Sequence, residues 1–395
     1  MNKPQPSHSP RFDFLDALRG LAILGVISTH SAWFADGDFR GKPFAFAGMY
    51  GVQLFFLVSA FTIFMTLERA VAREPALVRS FYIRRVLRIL PMFWVGIVLY
   101  AFAPGREHYY ADFNIGPIYY ALTALFQHGW HPYTINSVVP GGWTIGVEMT
   151  FYIIAPLIFF QVKTWQSALY FFLGTLFLAE AADYCLRHAV AHHLLFQNVE
   201  ADQPELMQQY YRKWFPSQLP VFACGILTYR IFTALPDTFK TRRNGLVLLA
   251  AALVAIYNAV DIGSHRILPE QVVFGMAFIL FILALAIYSQ PLFVNPVTCF
   301  LGRISYSFYL MHFVVMECEI RFYKAHFAGI YNHPALAYVV LFATTLALAV
   351  PLSWTTYTLI EQPFIRLGSN LIRRLNAAVS EKLPKAGVAL NPSDS

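Results

Sequence analysis

Apolar runs of membrane-spanning length recur along almost the whole chain, and this recurrence limits the fold more than any other feature of the sequence. A bilayer core requires about 20 consecutive apolar residues of helix. Ten runs near that length lie at 14–34, 48–67, 81–103, 142–161, 165–186, 218–235, 244–261, 271–289, 302–322 and 335–360. In hydrocarbon every backbone N–H and C=O must be satisfied internally, so runs this long select helices. The expected fold is therefore all-α: a polytopic membrane helix bundle of about ten transmembrane spans. The composition agrees, since the chain is 57% hydrophobic and 13% charged, where a soluble domain carries about 25% charged residues. Its 17% aromatic content suits a chain that crosses the headgroup region many times.

Charge supplies the orientation. The net charge of +7 is not gathered into one stripe, as a nucleic-acid interface would need, but lies in short clusters between the apolar runs. The expected partners are membrane lipids, and no nucleic acid. With ten spans both termini share a side. Nine of the 29 Lys and Arg residues fall on one side: Arg40, Lys42, Arg106, Arg187, Arg212, Lys213, Arg266, Arg321 and Lys324. The other 20 fall on the side of the termini, and the excess of positive charge in cytoplasmic loops puts both termini in the cytoplasm. The first run carries Asp16 and Arg19 and is followed by no small-residue cleavage site, so it reads as a retained span rather than a signal peptide.

The expected domain plan is one membrane domain over 11–368, then a cytoplasmic interfacial helix and disordered tail over 369–395. Leu367, Leu371, Leu375, Val379 and Leu383 recur every four residues with Arg366, Arg373, Arg374 and Lys382 off that line, the pattern of a helix lying in the interface. Lys385 to Ser395 reads as the tail. Two outer connections, Pro104 to Gly141 and His188 to Pro216, are too long for simple turns. The first contains a short semi-apolar piece, Ile118 to Phe126, expected to lie on or dip into the membrane. Cys185, Cys224, Cys299 and Cys318 form no CxxC pair and suggest neither a disulfide framework nor a zinc site; no metal is expected.

Ionisable residues within spans are costly and point to function. Asp16 and Arg19 stand three apart on one helix face, where they can pair, with a purely structural ion pair as the plain alternative. His30 lies eleven residues beyond Arg19, about 16 Å along the axis, in the outer half of the span. Glu148, in Gly141-Gly142-Trp143-Thr144-Ile145-Gly146-Val147-Glu148, stands one or two turns inside the outer end of the fourth run. The two are expected at similar depth, where a carboxylate would fix the imidazole tautomer of a general base. Arg85 and Arg88 share a helix face at the cytoplasmic boundary. They suit bidentate phosphate binding, or simple positive-inside anchoring.

These landmarks together resemble bacterial acyltransferase family three, the ten-span acyl-CoA-dependent O-acyltransferases. The matching pieces are Asp16-Ala17-Leu18-Arg19-Gly20-Leu21-Ala22 followed by His30, Gly51 to Phe61, Arg85-Val86-Leu87-Arg88, Trp143 to Tyr152, Ile304 to His312, and Glu361-Gln362-Pro363-Phe364. They occur in the family's order across roughly 11–368. The chain departs from the family where Ala17 and Ala60 replace a common glycine, Gln53 a common aspartate and Thr144 a common serine.

The resemblance implies a membrane-bound O-acyltransferase of the bacterial inner membrane. It would move an acyl group, acetyl being commonest in the family, from cytoplasmic acyl-CoA to a hydroxyl of an extracytoplasmic glycan or lipid-linked glycan. It assigns His30 and Glu148 to catalysis and Arg85, Arg88 and Arg19 to the donor phosphates. Asp16, Trp143, Tyr152, Ser305, Tyr306 and Tyr309 are expected to contact substrate or support the site. Direct transfer and a transient acyl-histidine both remain open. Two rivals come from other classes. A polyprenyl-dependent glycosyltransferase would use Asp36-Gly37-Asp38 as an acidic metal pair, although Asp-Gly-Asp is also ordinary turn chemistry. A glycan or lipid transporter would show inverted repeats and broken spans.

Overall fold

The computed structural model describes residues 12–103, 116–261 and 268–382. The described residues form helices and connecting turns with no strand. The principal helices are α1 (Asp13–Phe34), α2 (Lys42–Ala47), α3 (Gly51–Val71), α4 (Leu77–Phe102), α5 (Pro117–Ala124), α6 (Trp143–Gln161), α7 (Trp165–Ala191) and α8 (Gln197–Asp202). They continue with α9 (Pro204–Lys213), α10 (Phe215–Ala234), α11 (Arg242–Asp261), α12 (Glu270–Ile287), α13 (Pro296–Arg303), α14 (Ser305–His326), α15 (Pro334–Thr356) and α16 (Gln362–Lys382). The expected all-α architecture is the observed one.

Among the described residues seven helical stretches are long and apolar enough to cross a membrane, and up to eight if the bent pair α13–α14 counts as one span. The chain is therefore a membrane protein, with fewer stretches meeting that test than the ten apolar runs in its sequence. Two of the runs fall short for visible reasons. Helix α1 carries Asp13, Asp16 and Arg19 within its first two turns. Helix α10 is buried continuously from Ser217 to Arg230, so protein surrounds it and it can retain Gln218, Thr228 and Arg230. Large apolar side chains line the outside of the long helices, including Val98 and Phe102 on α4, Leu157 on α6, Phe177 on α7, Val254 on α11 and Leu348 on α15. Exposed apolar side chains spread over helices of this length are what lipid covers.

Helix α1 lies at the centre and packs against α13, α3, α14 and α15. Its approach to α13 depends on a small residue. A Cβ on Gly302 would sit 1.7 Å from the carbonyl oxygen of Asp16, so only glycine permits this spacing. The close crossing holds the start of α1, with Asp16 and Arg19, beside the 79° break between α13 and α14. That break lies within the run at 302–322 and gives α14 a helix terminus inside the protein.

Two further features place the site. Residues 128–141 are not a surface loop: His128, Thr134, Ile135, Ser137, Val138 and Val139 are all buried. The His128 ring bonds the Gly142 carbonyl oxygen at 2.9 Å and stacks on Phe93, tying this segment to α4 and to the start of α6. Burial holds the His128 imidazole down to about 4. At the other end, α15 and α16 run into one another through a π-helical turn at Tyr357–Glu361. Helix α16 is amphipathic as its leucine pattern indicated, with Leu367 and Leu371 exposed and Ile372 buried. It packs along α4 and is continuous with α15 rather than a separate element. The expected tail over Lys385 to Ser395 lies outside the described residues.

Candidate active site

A narrow cavity of about 80 Å³ opens among α1, α3, α4, α6 and α14. Its polar lining is Arg19, Ser59, Arg85, Arg88, Thr144, Glu148, Tyr152, Ser305, Tyr306 and Tyr309, closed by Val52, Phe55, Phe56, Ile89 and Ile145. Eight of the eleven residues singled out in the sequence therefore share one chamber. Asp16 stands just behind it, accepting from Arg19 at 3.2 Å, a pairing that the three-residue spacing allows. Arg19 also donates to Thr62 Oγ1 at 2.9 Å, which fixes its guanidinium against α3.

The arginines on α4 are used differently. Arg84 forms a two-bond pair with Glu74, at 2.8 and 3.0 Å. Arg85 packs over the rings of Phe81 and Tyr152, and its Nε is buried with no hydrogen-bond partner among the described residues. Arg88 lies in the combined field of Glu361, Glu148 and Asp16. Glu361 is itself buried and accepts from Ser307 Oγ at 3.0 Å. The chamber thus holds guanidinium groups with unused donor capacity, held in place by charge and by aromatic faces.

Glu148 occupies a different position from the one its sequence suggested. Its carboxylate accepts from Ser59 Oγ at 2.6 Å and from the Tyr152 hydroxyl, in the field of the arginines. It therefore stands with Arg19 and Arg85, not beside His30. The cause is the buried segment at 128–141: α6 begins inside the protein behind it, and a residue five positions past Trp143 lies about 7.5 Å further along the helix. His30 meets a different group. Its ring lies 5.4 Å from the ring of His312 and 4.5 Å from that of Phe313, centroid to centroid.

Tyrosines and a glycine link the two regions. Tyr306 donates to the Ile89 carbonyl oxygen at 2.8 Å, joining α14 to α4 beside Arg88. Tyr309 donates to the Gly141 carbonyl oxygen at 3.0 Å and packs 5.7 Å from His312. Gly141 has φ +73°, and a Cβ there would lie 2.6 Å from the Tyr309 hydroxyl. Trp143 lies just outside the chamber, edge-on to Phe56, with Lys213 Nζ 5.8 Å from its ring centre. Burial, with Arg212 nearby, pulls the half-buried Lys213 ammonium down to about 8.

Ser59, Ser307, Glu361 and His312 lie within the motifs that resemble the family, but sequence reasoning gave none of them a role in the site. Helical spacing carried a signal for one of them: Ser305, Tyr309 and His312 recur at i, i+4 and i+7, one face of α14. The candidate metal pair of the loop after α1 is occupied with turn chemistry. Asp36 accepts from the Gly37 N–H at 2.8 Å and Asp38 from the Phe39 N–H at 3.1 Å, with positive φ at Asp36 and Gly37. Among the described residues no three His, Cys, Asp or Glu side chains are grouped to hold a metal ion.

Comparison with known proteins then gives the family. The profile of an acyltransferase domain, the third acyltransferase family, matches residues 12–354. The chain belongs to acyltransferase family three. It is 27% identical to nodulation protein 10 of Rhizobium leguminosarum bv. viciae, with 95% of this chain and 99% of that protein aligned. It is 23% identical to several Staphylococcus aureus proteins provisionally named O-acetyltransferases, over 92% of this chain. It spans 58% of the length of those staphylococcal relatives. No solved structure matches. The protein is thus an acyltransferase of the membrane, and its arginine-lined chamber is the candidate site of that activity.

Proposed function

We propose that this acyltransferase carries an acyl group, most simply acetyl, from cytoplasmic acyl-CoA to a hydroxyl of an extracytoplasmic glycan. The observation that carries the reading is the chamber itself: Arg19, Arg85 and Arg88 converge with Tyr152, Ser305 and Tyr306 in a space closed by apolar walls. Guanidinium forks match phosphate oxygens and remain charged under all working conditions. Arg85 and Arg88 would take the phosphates of CoA. Ser305 is the first residue of α14, whose N-terminal end carries partial positive charge and favours anions. Glu148, gripped by Ser59 and Tyr152, would order the guanidiniums through its charge rather than act on the substrate.

The pantetheine arm would pass between Tyr306 and Tyr309 toward His30, placing the thioester at the outer end of the chamber. His30 accepts the proton of the acceptor hydroxyl as its oxygen attacks the thioester carbonyl. The C–S bond breaks as the new C–O ester bond forms, and the imidazolium returns the proton to the CoA thiolate. Overall, acyl-CoA and an alcohol become an ester and free CoA. The names of the staphylococcal relatives support an oxygen acceptor and an acetyl group. Ten spans with both termini in the cytoplasm, in a bacterial inner membrane, put the arginines at the donor side and His30 toward the acceptor side.

The test is transfer of radiolabel from [acetyl-14C]-CoA to exported glycan by the purified protein in proteoliposomes, with acetyl-CoA supplied on one face and glycan on the other. His30→Ala is expected to abolish label transfer while the protein still inserts and elutes as a folded species. Wild-type activity in His30→Ala would overturn the assignment.

A further inference from the structure

A histidine acting as a base needs its proton held on the nitrogen facing away from the substrate, usually by a carboxylate. Glu148 is engaged by Ser59 and Tyr152 and does not fill that role. His30 Nδ1 is buried and has no hydrogen-bond partner among the described residues. The second histidine presents the matching deficit. His312 is fully buried on α14, with its Nδ1 3.3 Å from the Phe308 carbonyl oxygen one turn back. A carbonyl can only accept, so Nδ1 carries the proton and Nε2 holds a lone pair. That Nε2 is also buried without a partner among the described residues.

We propose that His312 is a positioning residue for His30: its Nε2 lone pair accepts the Nδ1 proton of His30, leaving His30 Nε2 bare to take the acceptor's proton. The geometry is within reach. An N–H···N bond of about 3 Å places two imidazole centroids roughly 5 Å apart. The observed separation is 5.4 Å with a 34° tilt. The ring torsion of histidine is a soft coordinate, so a modest rotation closes the pair. Phe313, 4.5 Å from one ring and 4.1 Å from the other, excludes water from one side. Two buried nitrogens, each costly alone, satisfy one another in this arrangement. The role of His312 differs from that of the chamber arginines, since it acts on the base and leaves the donor untouched.

The inference rests on the acyltransfer reading for its kinetic consequence but not for its structural one. The experiment is solid-state NMR of the full-length protein in lipid bilayers with ring-15N histidine, His30 being identified by the signals lost in His30→Gln. The expected result is a neutral His30 protonated on Nδ1 in the wild type. In His312→Phe that preference is lost and both tautomers appear. Gln places an acceptor oxygen near the position of Nε2, so His312→Gln restores the Nδ1–H form, whereas the shorter His312→Asn does not. In parallel, kcat falls about tenfold or more in His312→Phe and in His312→Asn, while KM for acetyl-CoA stays within about twofold. Should His312→Phe fail to fold, the comparison of Gln with Asn carries the same test. A wild-type His30 protonated on Nε2, or an unchanged tautomer and kcat in His312→Phe and His312→Asn, overturns the proposal. If the wild type transfers no acyl group at all, the functional reading fails while the tautomer series still decides the role of His312.

Discussion

Replacing Arg88 by lysine separates recognition from anchoring, because it keeps the positive charge and removes only the planar fork. Arg88 sits in the chamber wall under the field of Glu361, Glu148 and Asp16, with Tyr306 fixing the adjacent α4 carbonyl of Ile89. Its guanidinium is therefore positioned before any donor arrives. A bidentate contact to phosphate supplies two charge-assisted hydrogen bonds, and lysine can replace one of them. A hydrogen bond to a charged group is worth about 1.5–3 kcal/mol, and each 1.4 kcal/mol is about tenfold in affinity. Arg88→Lys is thus expected to raise the apparent KM for acetyl-CoA by about 10- to 100-fold. The acceptor KM should stay nearly constant if, as proposed, the acceptor meets His30 away from the arginines. Arg85→Lys should act in the same direction, with an added loss of packing against Phe81 and Tyr152. The assay is initial-rate label transfer in proteoliposomes over a range of acetyl-CoA, repeated at several salt concentrations, since exposed parts of an ionic contact are screened. Wild-type donor KM in the double lysine variant would refute the reasoning and return both residues to a role in membrane orientation.

Gly141→Ala should lower the thermal midpoint and turnover together: positive φ costs a non-glycine residue about 1–2 kcal/mol, and the new methyl displaces the Tyr309 hydroxyl from its acceptor. Tyr309→Phe, which loses only the hydrogen bond, should be milder in a detergent melting series, and equal effects would count against the steric account. Ser59→Ala removes one of two hydroxyl donors to the Glu148 carboxylate and should cost on the order of 1 kcal/mol in stability, with Ser59→Thr recovering most of it in the same melt. His128 titrates at about 4 in place of its ordinary 6.5, so the folded protein binds fewer protons than the unfolded chain. Stability is then complete above pH 6.5 and lost as pH falls toward 4, by about 3 kcal/mol at most. His128→Gln removes this group, and its melting temperature should fall less between pH 7 and pH 5 than the wild type's; an equal fall would disprove the contribution.

The helices were legible because hydropathy reports them directly: each of the ten apolar runs is helical over most of its length, including α10, which is enclosed by protein. Spacing along one helix was equally readable. Asp16 and Arg19 pair as three-residue neighbours can, and Arg85 and Arg88 enter the same cavity. Depth was not readable for Glu148. Placing it required knowing that the segment before α6 folds inward, and that burial rests on tertiary contacts such as those of His128 with Gly142 and Phe93. The His30–His312 approach joins residues 282 positions apart, on helices whose angle depends on the break at Ile304, so no local pattern could announce it. Glu361 was visible as part of a motif, but its position behind Arg88 depends on the π-helical turn that contains it.

That turn has a consequence for how the chain can change. An α-helix advances about 100° per residue, and a π-turn accommodates one residue more than an α-turn does. The phase of everything after Tyr357 is therefore offset by one residue from the phase of α15. Deleting any single residue within 357–361 would let the helix heal into regular α geometry without breaking its hydrogen-bond ladder. The length and hydropathy of the segment would scarcely alter. Because the turn carries the one extra residue, the deletion would leave α16 facing α4 as before, with Gly368 still against Leu87, whereas deleting a residue from the regular part of α15 would swing α16 about its axis by about 100°. The π-turn is thus the one place along α15 and α16 where a single-residue deletion keeps the contact with α4.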